Sequence, residues 1–122
     1  MKFPQKIVAI VDDDDLMLGA IARLLRAHGF AVRTYSSAEA FLDGDAAQQA
    51  ACLVLDIGLK GISGIELRRH LVGAGNLLPV IFITAIDSAR VYEKAMEAGC
   101  VAYLRKPFSS AELVEAIAEA AP

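Results

Sequence analysis

The chain has 122 residues, of which 56% are hydrophobic, and its formal net charge at pH 7 is −3. This length suits one domain that buries roughly two-thirds of its unfolded surface, so we expect a single domain over residues 1–122. No apolar run reaches the ~18 residues of a membrane helix, the first residues lack a secretory signal pattern, and the acidic balance argues against a nucleic-acid-binding face. We therefore expect a soluble cytoplasmic protein.

Short apolar runs alternate along the chain with longer stretches in which apolar residues recur at helical spacing. In chain order they predict a strand at 6–11, a helix at 16–28, a strand at 30–35, a helix at 36–43, a strand at 51–56, a helix at 65–71, a strand at 80–84, a helix at 88–98, a strand at 101–104 and a helix at 109–120. Strict alternation of strands and helices predicts a parallel sheet covered by helices on both faces.

Several helix starts carry the residues that satisfy free backbone amides. Ser36 with Glu39, and Ser109 with Glu112, have the spacing of capping boxes. Asp14 and Asp15 close a run of four adjacent acids, and we expect them to cap and charge the first helix, where the helix dipole favours carboxylates.

Polar side chains stand where four of the predicted strands end. Asp12 and Asp13 follow the first strand, Asp56 closes the third, Thr84 closes the fourth, and Lys106 follows the fifth. The carboxyl ends of parallel strands meet at one edge of a sheet, so we expect these groups to converge. One lysine is too little charge for three acids, and a divalent ion such as Mg²⁺ supplies the rest. The pattern predicts a metal-dependent phosphoryl site with a carboxylate as nucleophile.

These four features, in this order and at this spacing, resemble the receiver domain of bacterial two-component response regulators. The similarity runs from residue 6 to about residue 120, and the segments VRTYSSAEAFL and AMEAGCVAYLRKPF resemble receivers of nitrogen-fixation-type regulators. The resemblance implies a flavodoxin-like doubly wound α/β fold, with five parallel strands in the order 2-1-3-4-5 and five helices. Residues 1–122 would form a single receiver domain.

Carried over position by position, the resemblance implies that Asp56 accepts a phosphoryl group from a histidine kinase. Asp13, Asp56 and the backbone carbonyl of Gly58 would bind Mg²⁺, and Asp12 would act through water. The resemblance implies no enzyme acting on separate substrates, because the only reactions would be self-catalysed phosphotransfer and dephosphorylation.

The same resemblance assigns three residues to the response. Lys106 would pair with the phosphate, Thr84 would hydrogen-bond a phosphate oxygen, and Tyr103 would be the switch aromatic. Electrostatics supports the role of Thr84, because a phosphoryl group adds about −2 of charge at Asp56 and gives the Thr84 hydroxyl a strong new hydrogen-bond acceptor. Movement of Thr84 frees volume that Tyr103 can fill, which makes a two-state packing switch.

One stretch departs from the pattern. After the phosphoacceptor the family usually has Met-Pro, whereas this chain reads DIGLKGISG, with Lys60 in place of the proline and Gly64 retained. Without the proline, and with Gly58 and Gly61, we expect a loop that is mobile without metal. We also expect Lys60 to affect kinase docking or phosphate lifetime.

Two other functions stay open. The chain could be a degenerate receiver that binds partners without phosphorylation. It could also be an aspartate-nucleophile phosphatase with the motif D-x-D-x-[TV], which Asp12 and Asp14 fit but Leu16 does not.

The output is open as well. A face formed by the helix at 88–98, the fifth strand and the last helix is the candidate for dimer or partner contact, and it includes Tyr92, Met96, Val101 and Tyr103. Nucleic acid would be reached only through an output domain outside this chain, and the chain could be a stand-alone regulator or part of a longer one.

Overall fold

The computed structural model describes residues 5–122 and contains one parallel sheet of five strands in the order β2-β1-β3-β4-β5. The strands are β1 (Ile7–Val11), β2 (Ala31–Tyr35), β3 (Cys52–Asp56), β4 (Val80–Thr84) and β5 (Ala102–Arg105). The helices are α1 (Asp15–Ala27), α2 (Ala38–Asp43), α3 (Ala46–Gln49), α4 (Gly64–Gly73), α5 (Ala89–Ala98) and α6 (Ser110–Ala120). The predicted doubly wound fold and its strand order are confirmed.

The strands alternate their side chains between two apolar layers, because successive residues of a strand point to opposite faces. One layer packs strand residues against α2, α3, α4 and α5; its strand members are Ala9, Val11, Leu53, Leu55, Val80 and Phe82. The other packs against α1 and α6; its strand members are Val8, Ile10, Cys52, Val54, Ile81 and Ile83. Every residue of β3 and β4 is buried, as expected for central strands covered on both sides.

Residues 5–122 form six helices rather than the predicted five, because a short helix, α3, follows α2. Asp45 precedes it without making a side-chain cap. Instead, Arg33 of β2 donates to Asp45 at 2.8 Å and to Gln49 at 2.8 Å. Arg33, which stabilises this helix, lies 12 positions from Asp45 and 16 from Gln49, so the sequence of the helix itself gives little indication that it forms.

Helix starts mostly follow the prediction. Asp14 caps α1 by accepting from the amides of Leu16 and Met17, and Ser109 forms the predicted capping box with Glu112.

The capping box predicted at Ser36 and Glu39 is wrong. Ser37 is the cap, because it is still extended, with φ −153°, and its side chain accepts from the amide of Ala40. Glu39 instead lies against Gly61, where an added Cβ would be 2.9 Å from the Glu39 Oε2 atom.

Arg68 of α4 joins the entrances of two strands. Its Nε atom donates to the carbonyl of Gly99 at 3.0 Å, before β5, and its Nη1 atom donates to the carbonyl of Leu78 at 2.7 Å, before β4. The amino-terminal edge of the sheet is therefore held by side chain to backbone hydrogen bonds, while titratable groups gather at the opposite edge. Across residues 5–122 the helices are all too short or too polar to cross a membrane.

Candidate functional site

The four strand ends converge at the carboxyl edge of the sheet, as the sequence predicts. Asp12 directly follows β1, Asp56 and Thr84 are the last residues of β3 and β4, and Lys106 follows β5. Asp12 and Thr84 are fully buried, and only 6% of Asp56 is exposed. Burial of polar groups costs free energy unless they form hydrogen bonds or ion pairs, so each of these groups is expected to have a partner.

Lys106 joins two of the acids. Its Nζ atom lies 2.9 Å from Asp12 Oδ2 and 3.6 Å from Asp56 Oδ1. The second oxygen of Asp12 accepts from the amide of Asp14 at 2.9 Å. Burial alone would lower the pKa of Lys106, but the hydrogen bond to Asp12 and the charges of Asp56 and Asp12 raise it above its ordinary value. Lys106 is therefore a fixed positive charge at neutral pH.

Three carboxylates crowd around this one ammonium group. One oxygen from each of Asp12, Asp13 and Asp56 lies within 4.8 Å of the others, and we call these three residues the carboxylate cluster. Burial, followed by the negative charge of Asp12, raises the pKa of Asp56, although Lys106 and the amide of Gly58 act in the opposite direction. The repulsion is thus only partly offset. The cluster offers carboxylate oxygens as ligands and carries excess negative charge, and both features suit a divalent ion such as Mg²⁺.

Gly58 lies beside this cluster. Its amide donates to Asp56 Oδ1 at 3.3 Å. A Cβ at this position would meet Ile86 Cδ1 at 3.8 Å and Asp56 Oδ1 at 3.9 Å, which is ordinary contact. The role of the Gly58 carbonyl as a metal ligand stays a prediction.

Gly64 allows the third strand and the following helix to approach each other closely. Its amide donates to the carbonyl of Ile57 at 3.1 Å. A Cβ at this position would lie 2.4 Å from the backbone oxygen of Asp56, a distance that no side chain tolerates. The backbone that carries Asp56 is therefore pressed against the start of α4.

Thr84 and Tyr103 sit on the far side of the site from β1. The Thr84 Oγ1 atom accepts from the amide of Ile86 at 2.9 Å. Tyr103 is half-buried and packs edge-on against Tyr92, with ring centroids 5.0 Å apart and an interplanar angle of 82°. Both rings line a cavity of about 320 Å³ that also includes Ile86 and Arg105. This open space leaves room for rearrangement of the side chains that line it.

Backbone amides are the part of the site that sequence reasoning missed. The amides of Asp14, Ile86 and Lys60 bind Asp12, Thr84 and Asp13, the last at 3.2 Å. Any residue except proline offers such a donor, so the residue types carry no signal for it. The only sequence signal for the contact between the Lys60 amide and Asp13 is that this chain has a lysine where the family pattern has a proline, which has no amide proton.

A lysine-paired carboxylate cluster at the carboxyl edge of a 2-1-3-4-5 parallel sheet is the arrangement that the receiver resemblance requires. Residues 8–118 match the family model described as response regulator receiver domain. The chain belongs to this family.

Known proteins support the same assignment. Response regulator protein TmoT of Ectopseudomonas mendocina is 35% identical over 96% of this chain and 53% of its own length. Transcriptional regulatory protein FixJ of Rhizobium meliloti is 37% identical over 93% of this chain and 55% of its own length. The crystal structure of FixJ-N is 36% identical, covers 98% of this chain and 95% of that one, and has a TM-score of 0.87. The chain spans about half the length of the curated relatives it matches.

Proposed function

We propose that the protein is a phosphorylation-activated signalling switch in which Asp56 accepts a phosphoryl group from a histidine kinase. The observation that carries this proposal is the position of the Lys106 ammonium between Asp12 and Asp56 at the strand ends. Membership in the receiver family supports it. The reaction is self-catalysed, and the protein is not proposed to act as an enzyme on any other substrate.

Asp12, Asp13 and Asp56 are the side chains that would hold Mg²⁺, together with the Gly58 carbonyl. Their oxygens are already gathered within 4.8 Å, which suits a hard cation. Bound Mg²⁺ would neutralise negative charge on the phosphoryl oxygens, and such electrostatic stabilisation is a main requirement of phosphoryl transfer.

The residues of this chain then have separate tasks. A carboxylate oxygen of Asp56 forms the new bond to phosphorus, while the phosphorus–nitrogen bond of the donor phosphohistidine breaks and its electron pair returns to the imidazole. Lys106 supplies a fixed positive charge to the phosphoryl oxygens. Later attack by water on phosphorus restores the carboxylate and releases inorganic phosphate.

The response to phosphorylation would use Thr84 and Tyr103. The Thr84 hydroxyl has one acceptor contact, from the Ile86 amide, and can still donate its proton to a phosphate oxygen. Inward movement of Thr84 changes the space beside Tyr103, whose cavity borders the exposed face of α5 and β5. Tyr92, Met96 and Val101 are 39–48% exposed on that face, and we propose it as the dimer or partner surface.

The expected compartment is the cytoplasm. Cys52 and Cys100 are free thiols, which suits a reducing environment. Burial raises the pKa of Cys52 to about 11, so this thiol stays protonated and unreactive at neutral pH.

Incubation with acetyl phosphate and Mg²⁺, followed by intact-mass and size-exclusion measurements on the same sample, tests the proposal. We expect one phosphoryl group per chain, none on Asp56→Asn, and an unchanged level on the control Asp15→Asn, whose side chain lies in the first turn of α1. Phosphorylation lost in Asp12→Asn and retained in Asp56→Asn would instead indicate the phosphatase-type nucleophile. A parent protein that takes up no phosphate but still binds a partner would be the degenerate receiver.

A further inference from the structure

The loop between β3 and α4 (residues 57–63, the β3–α4 loop) reaches across to the end of β1. The backbone amide of Lys60 donates to Asp13 Oδ2 at 3.2 Å, although the two residues are 47 positions apart. Asp13 is the exposed member of the carboxylate cluster. Asp12 is oriented by Lys106 and Asp14, so the two neighbouring acids are held by different parts of the chain.

The loop that carries this amide is itself braced at two further points. Glu39 of α2 lies against Gly61, which has φ +74°, a conformation that favours glycine. Gly64 packs against the backbone of Asp56 at the other end of the loop. The Lys60 amide thus lies in a segment with contacts on both sides, which limits the entropy lost when the amide binds Asp13. These contacts do not favour the mobility expected of the loop without metal, which stays a prediction.

We propose that the backbone amide of Lys60 is a positioning group for metal-ion binding, because it orients the carboxylate of Asp13 toward Asp12 and Asp56. The inference rests on the metal-dependent function proposed above. A carboxylate has two oxygens, so an amide on one of them leaves the other for an ion. With this hydrogen bond in place, ligand oxygens of all three acids already lie within 4.8 Å of one another.

The contact depends on the residue type in one respect only. Every residue except proline has an amide proton, so the lysine side chain is not required. The usual receiver pattern has proline at this position, and that residue could not make the bond. The departure at Lys60 therefore supplies a donor to the ion site, in addition to any effect of its charge.

Calorimetric titration of Mg²⁺ into the parent, Lys60→Ala and Lys60→Pro tests the proposal. Both variants lack the amine, and only Lys60→Pro lacks the amide proton. We expect Lys60→Pro to bind Mg²⁺ roughly tenfold more weakly than Lys60→Ala, the effect typical of removing a partner that orients a ligand. Lys60→Ala should remain within about twofold of the parent, since it keeps that partner. Equal affinities of the two variants would overturn the proposal.

A second measurement covers the case in which Lys60→Pro disturbs the loop. Solvent exchange of the Lys60 amide, measured by NMR without metal, should be several-fold faster in Asp13→Ala than in the parent. Exchange of the Gly58 amide, which is bonded to Asp56, serves as the control and should not change. Equal exchange of Lys60 in the two proteins would show that the hydrogen bond does not form. If the parent itself binds no Mg²⁺, the proposed function fails together with this inference; if it binds and the variants agree, this inference fails alone.

Discussion

The site has a buried half and an exposed half, and they are built differently. In the buried half, Asp12, Asp56 and Thr84 stand at strand ends, and Lys106 pairs with both acids. In the exposed half, Asp13 and Lys60 of the β3–α4 loop are exposed, and the backbone amide of Lys60 donates a hydrogen bond to the Asp13 carboxylate. The two halves meet at the carboxylate cluster.

The difference follows from the cost of burying charge. A buried carboxylate needs a paired cation and hydrogen bonds, because water is not available to solvate it. An exposed carboxylate is already solvated, so an added hydrogen bond changes its orientation more than its energy. We therefore infer that the buried half determines where the site is and how stable it is. Under the proposed function, the exposed half would orient the Asp13 carboxylate toward the ion.

The largest expected effect comes from breaking the buried half. Lys106→Met leaves the fully buried Asp12 beside Asp56 without a cation, and loss of one partner of a buried pair is strongly destabilising. We expect the free energy of unfolding without metal to fall by about 3 kcal/mol. Urea denaturation followed by circular dichroism measures this, since the chain has no tryptophan.

The neighbouring residue provides the matched control. Arg105 forms an exposed ion pair with Asp87 at 3.0 Å, and exposed pairs contribute little. Arg105→Ala should change the free energy of unfolding by less than about 1 kcal/mol. Equal losses of unfolding free energy in Lys106→Met and Arg105→Ala would mean that the buried ion pair contributes no more than the exposed one.

A smaller effect is expected where the start of α4 packs against the backbone of Asp56. Gly64→Ala places a Cβ 2.4 Å from the backbone oxygen of Asp56, so the helix or the strand end must shift. We expect a loss of about 2 kcal/mol, typical of overpacking, together with slower phosphorylation because Asp56 is displaced.

Gly73→Ala in the same helix is the control for Gly64→Ala. Nothing lies within 4 Å of a Cβ at Gly73, so alanine should stabilise α4 by up to ~1 kcal/mol through its better helix propensity. Denaturation curves that coincide for the two variants would contradict the close packing at Gly64.

The smallest effect on stability is expected in the exposed half. Asp13→Asn keeps an oxygen for the Lys60 amide and removes one negative charge from the cluster, so the metal-free protein should change by less than about 0.5 kcal/mol, toward greater stability. Added Mg²⁺ should stabilise the parent, because an ion that binds the folded state shifts the unfolding equilibrium, and should stabilise Asp13→Asn much less. Paired denaturation curves with and without Mg²⁺ measure both quantities.

The buried half could be predicted from the sequence because it depends on strand ends. Apolar runs mark the strands, strict alternation makes them parallel, and parallel strands bring Asp12, Asp56, Thr84 and Lys106 to one edge. Each residue also has a chemically distinctive side chain. Residue type and order were therefore enough to predict which groups come together.

The exposed half could not be predicted in the same way. The amide of Lys60 is common to nearly all residue types, and its partner is 47 positions away. The same limit explains α3, which depends on Arg33 of β2, and the helix start at Ser37, where two adjacent serines have equal local preference. Contacts that involve backbone groups or distant partners leave little trace in a single sequence.

The two hydrogen bonds of Arg68 give the sheet a fixed end. Because one guanidinium binds the carbonyls just before β4 and β5, the entrances of these strands keep a constant separation. Beyond this end the two strands pair residue by residue, and the Lys106 amide donates to the Thr84 carbonyl at 2.8 Å where they finish. The strands that bring Thr84 and Lys106 to the site are thus fastened to each other at both ends, by a guanidinium at the start and by a backbone amide at the finish.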